Sequence, residues 1–102
     1  MSKFREDPFV IFTLESAIEK HGLNHLRVRK HGDLIVFESG PKADPVRHIR
    51  LRRATRQWYT LEIATHTGQW QLVPMIRAGA REVLETVVRE FPWVLAPIAS
   101  PR

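Results

Sequence analysis

The sequence predicts an α+β domain: a five-stranded antiparallel meander sheet with an N-terminal and a C-terminal helix packed on one face, in the order α-β-β-β-β-β-α. Three observations carry this. Apolar residues recur at three- and four-residue intervals near both ends of the chain, polar and apolar residues alternate through the middle, and glycine-containing turns separate the alternating runs. A length of 102 residues suits one core, so residues 1–102 are expected to form a single domain.

Asp7 and Pro8 fit the cap and first position of a helix, because the carboxylate accepts from an orphan N–H and proline has none to leave unpaired. Val10, Ile11, Leu14, Ala17 and Ile18 then keep helical spacing to about His21, with Gly22 as the left-handed cap. Phe9 and Phe12 lie off that stripe and are expected to widen the core.

Residues 24–30 and 33–39 alternate around His31-Gly32, a two-residue turn that sets Val28 opposite Ile35 and Leu26 opposite Phe37. His25, Arg27, Arg29, Leu34, Val36 and Glu38 then face away from the helices. After a loop at 39–45, the run VRHIRLRRATRQWYTLE forms a second hairpin, with Ile49, Leu51, Tyr59 and Leu61 inward and His48, Arg50, Arg52, Trp58 and Glu62 outward. A three-residue loop at 54–56 opposes Arg52 with Trp58, and a loop longer by two residues keeps the same faces. Parity leaves Arg47 awkwardly inward. Thr67-Gly68 is expected to turn the chain into a fifth strand with Trp70 and Leu72 inward, Val73 outward, and Pro74 as its end.

From Ala80 to Phe91 the apolar positions again follow helical spacing, and Pro92 stops that helix. Residues 92–102 form an apolar, proline-containing tail. Trp93, Val94, Leu95 and Ile98 are too hydrophobic for a free end and are expected to pack on the first helix or on a partner.

Several function classes are disfavoured by composition. With no cysteine, disulfides, thiolate metal sites and cysteine nucleophiles are excluded. His21, His25 and His31 lack a converging acid, so no metal is expected. No serine sits in a strand-turn-helix elbow, isolated glycines make no phosphate loop, and the carboxylates do not pair at a catalytic spacing. An enzyme is therefore not expected, nor a cofactor. MSKFRED lacks a secretory pattern and no apolar run reaches ~20 residues, so a cytoplasmic location away from membranes is expected.

The net charge of +5 draws the chain toward anionic partners. The candidate site is the outward sheet face: Arg27, Arg29, Leu34, Val36, His48, Arg50, Arg52 and Trp58. Guanidinium donors beside an indole and apolar side chains fit a protein partner or a second copy of the chain, since Trp and Arg are enriched in such contacts. The same mixture fits nucleic acid, whose phosphates take Arg and whose unstacked bases take a π-face. A solvated face, with Arg52 stacked on Trp58 and His48 against Glu62, uses the same residues. A small molecule between the sheet and helices near Tyr59 and His21 is a further alternative.

The succession LIVFES, RHIRL, QWYTLEI, GQW and a closing helix before FPW resembles a group of small bacterial domains of unknown function. The resemblance implies a leading helix, a strand meander and a C-terminal helix, and implies no site.

Overall fold

A computed structural model describes residues 8–97 of the chain. Among these residues the elements are α1 (Pro8–Lys20), β1 (Arg27–His31), β2 (Leu34–Ser39), β3 (Val46–Arg53), β4 (Tyr59–Ala64), β5 (Trp70–Ala78), α2 (Ala80–Glu90) and a 3-10 turn, Pro92–Leu95. The strands pair in the order β1-β2-β3-β4-β5, every neighbour antiparallel, so the predicted α+β meander is the fold. The Asp7 cap and Ile98 lie outside the described residues.

α1 ends where sequence placed its cap. Gly22 has φ +72°, Leu23 N–H donates to Ile18 C=O and Gly22 N–H donates to Glu19 C=O, the paired bonds of a Schellman motif. Leu14, Ala17 and Ile18 are buried from α1, and Ala80, Val83, Leu84 and Val87 from α2. They close over Ile35, Phe37, Ile49, Leu51, Tyr59 and Leu61 on the inner face of the sheet. Phe9 and Phe12, expected to widen this core, are instead 70% and 66% exposed.

The first two hairpins differ from expectation by an even step. The first loop is Gly32-Asp33, so Val28 faces Phe37 and Lys30 faces Ile35. Gly32, at φ +61°, takes the first loop position, where primed hairpin turns require a positive angle. In the second hairpin the longer loop is adopted, pairing Arg52 with Thr60 and Arg50 with Glu62. A shift of two preserves which face each side chain meets.

Two odd steps invert faces. Between β2 and β3 the pairing passes from Phe37 opposite Ile49 to Glu38 opposite Arg47, which makes His48 an extra, bulged residue. His48 therefore turns inward and is 2% exposed, while Arg47 escapes outward. Between β4 and β5 the loop has three residues. Gly68, at φ +85°, takes its last position, Gly68 N–H donates to Thr65 C=O, and Thr65 pairs with Gln69. Ala64 then faces Trp70, Glu62 faces Leu72 and Leu61 faces Val73. Trp70 and Leu72, expected inside, stand on the outer face, and Val73, expected outside, packs against the core.

Pro74 does not end β5. Residues 74–76 bulge from the ladder and pairing resumes with Thr60 opposite Arg77. An edge strand tolerates proline at such a bulge because no neighbour needs the missing N–H.

Candidate functional site

The outer face is a grid set by strand register. One row across the sheet reads Arg29, Val36, Arg50, Glu62, Leu72, and the next reads His31, Leu34, Arg52, Thr60, Arg77. A third begins Arg27, Glu38, Arg47 and ends Ala64, Trp70. Trp58, just ahead of β4, alternates with inward Tyr59 and is 44% exposed. Register thus brings together seven of the eight residues expected to form the site.

His48 is the eighth and does not join them, because the bulge turns its ring to the opposite side. Val36 is on the face yet only 5% exposed, with Arg29 and Arg50 as its neighbours on the flanking strands. It contributes packing and not surface. Leu34 is half-buried.

The carboxylates on this face are each held between two guanidiniums. Glu38, 5% exposed, lies 3.6 Å from Arg27 Nη2 and 3.3 Å from Arg29 Nη2. Arg27 also donates to the Gly40 carbonyl. Glu62 accepts from Arg50 Nε at Oε1 and from Arg52 Nε at Oε2, the latter at 3.2 Å. Burial by itself raises the Glu62 pKa, but the hydrogen bonds and charges of Arg50 and Arg52 outweigh it and hold the carboxyl below its ordinary value. Arg50 also lies over the Trp70 ring at 4.5 Å from its centroid. The stacked pair is therefore Arg50 with Trp70, in place of the expected Arg52 with Trp58.

Among the described residues, six guanidiniums belong to this face (Arg27, Arg29, Arg47, Arg50, Arg52, Arg77) against two carboxylates (Glu38, Glu62). The surplus is four positive charges.

A second polar cluster sits at the end of the sheet, where the 3-10 turn returns over the inner face. His48 Nδ1–H donates to the Val94 carbonyl at 2.9 Å, and His25 Nε2–H donates to the Leu95 carbonyl at 2.7 Å. The imidazoles meet edge-to-face at 6.1 Å. Burial, and to a lesser degree the neighbouring His25, lower the His48 pKa against the opposing pull of the Val94 bond, so the ring is neutral at pH 7. Its free Nε2 then accepts from the Ser39 hydroxyl at 2.8 Å. His25 was expected to face outward, and it is turned here instead. The described part of the tail, the 3-10 turn, packs on β3 and α2 with Leu95 buried and Trp93 left 69% exposed.

The contact of Ser39 with His48, with His48 oriented by a carbonyl, has the spacing of a nucleophile and its base. Ser39 is buried, however, and does not line the open groove of about 850 Å³ between Arg47, Ile63, His66 and Trp93, whose floor includes His48. The hydroxyl is bonded to a buried ring. Among the described residues no three His, Asp or Glu side chains converge as a metal site, and no helix is long and apolar enough to cross a membrane.

Sequence reasoning missed Trp70 and the Ser39–His48 pair. A signal for Trp70 existed in Thr65-His66-Thr67-Gly68-Gln69: the Thr65 hydroxyl accepts from Gln69 N–H at 3.1 Å, which favours the longer loop. The bulge at His48 has no local sequence mark.

No known protein family, curated protein or solved structure matches this chain.

Proposed function

We propose that the chain is a non-enzymatic binding module that acts through its open sheet face, and that the partner is anionic. The surplus of four positive charges on that face carries the reading. Charge of one sign on a broad surface raises the local concentration of an oppositely charged partner and speeds its encounter. Glu38 and Glu62 are already subtracted from that surplus, and each is engaged by two arginines. Exposed Trp58 and Leu72 add the apolar contact that a specific interface needs.

Self-association through the same face is the second reading, favoured by those exposed apolar side chains. Stacking two copies face to face sets the two surpluses of charge against each other, so an acidic protein or a polynucleotide fits better than a second copy.

Titration with polyglutamate, heparin and labelled oligonucleotides at about 50 and about 200 mM salt tests the proposal. Binding is expected to weaken steeply with salt, and Arg29→Glu with Arg52→Glu is expected to abolish it. A dimer mass by light scattering together with no affinity for any polyanion makes the face a self-interface and overturns the proposal.

A further inference from the structure

We infer that the anionic partner is a single strand of nucleic acid, held by a row of two tryptophans and two arginines along β3 to β5. The inference rests on the anionic-partner reading and goes further by naming the chemistry of the ligand.

The row follows from register. Trp58 stands at one end of β4, and Trp70 stands beside Ala64 at the other. Between them on the neighbouring strand, Arg52 lies beside Thr60 and Arg50 beside Glu62. Trp58 and Ala64 are six positions apart, so the backbone positions that carry the two ends of the row are roughly 20 Å apart at ~3.3 Å per residue. An aromatic platform at each end of two cationic groups matches a chain that alternates flat bases with phosphates.

Glu62 sharpens that match. It engages both arginines through Nε and so fixes the guanidinium planes, leaving the Nη donors of Arg50 and Arg52 for phosphate oxygens. Arg50 already lies 4.5 Å from the centre of the Trp70 ring, and such an arginine-on-indole pair offers a planar surface for a base.

Other anions use less of what is there. An acidic peptide satisfies the arginines but gives the exposed Trp58 indole no stacking partner. A duplex presents its phosphates with the bases already stacked on each other, so the indoles again go unused.

The decisive comparison is between oligothymidine, an abasic phosphodiester chain of equal length, the corresponding duplex and polyglutamate. Each is titrated against the wild-type chain and Trp58→Ala at constant low salt. Because Trp58 is exposed, the variant is expected to keep the wild-type circular dichroism spectrum. Oligothymidine is expected to bind at least about tenfold tighter than the abasic chain, and Trp58→Ala to remove about that factor for oligothymidine while leaving the abasic chain unchanged. Equal affinity for the two chains, tighter binding of duplex or polyglutamate, or a loss in Trp58→Ala common to all four ligands overturns the single-strand inference while the anionic-partner reading stands. Failure to bind any of the four overturns both.

Discussion

The outer face and the sheet end both hold polar groups against the same β-sheet, but by opposite means. On the outer face largely covered Glu62 sits between largely covered Arg50 and exposed Arg52, and the attraction to Arg52 is screened by water and contributes little to folding. At the sheet end His48 is neutral and buried, and its two ring nitrogens are both matched, to Val94 C=O and Ser39 Oγ. A buried group of that kind costs much to orphan. The first cluster leaves an exposed guanidinium on the face, and the second is committed to holding the 3-10 turn in place.

The sharpest test of this contrast is His48→Ala. Loss of the ring leaves the Ser39 hydroxyl and the Val94 carbonyl without partners and opens a cavity, for an expected loss of about 2–4 kcal/mol by urea denaturation. A loss as small as that of a surface arginine breaks the comparison.

A pH series separates the clusters next. Folded His48 gives up its proton at lower pH than the unfolded ring, so the unfolded state binds more protons between its ordinary value of about 6.5 and the lower folded one. Stability is therefore expected to fall as the pH drops below about 6.5, and His48→Gln to flatten that part of the curve. Glu62 acts in a more acidic window. Its folded value is depressed, so its contribution is present above the ordinary carboxylate value of about 4.3 and disappears as pH falls through the folded value. Glu62→Gln is expected to remove that acid-side loss, and at neutral pH to cost about 1–2 kcal/mol, because Glu62 and Arg50 are largely covered while Arg52 is exposed.

Gly68→Ala probes the loop that sets the outer face. A methyl there meets nothing within 4 Å, so its expected cost of about 1 kcal/mol comes from φ +85° alone. The indole of Trp70 is expected to stay outside, read as unchanged quenching of its fluorescence by acrylamide. The smallest effect belongs to Arg52→Ala, within about 0.5 kcal/mol of wild type in stability while weakening polyanion binding.

The part of the fold legible in the sequence obeyed the arithmetic of alternation. The faces of Val28, Ile35, Leu51 and Leu61 were legible even though two hairpin registers moved, because both moved by two residues. His48, Arg47, Trp70, Leu72 and Val73 were not, because a bulge and a three-residue loop each add one residue and invert the faces of the residues beyond them. The candidate site was therefore legible as an arginine face with Trp58. Its second indole was hidden, and His48 was wrongly included.

The two rims of the sheet have a consequence for how copies of the molecule coexist at high concentration. β1 carries Arg27, Arg29 and Lys30, and β5 is broken by Pro74 and the bulge at residues 74–76. Charge on one rim and a missing donor on the other are the devices by which β proteins discourage edge-to-edge growth into fibrils. Lateral extension of the sheet is thereby disfavoured while its broad side stays open, so a partner of the kind proposed is expected to meet it face-on instead of adding a strand.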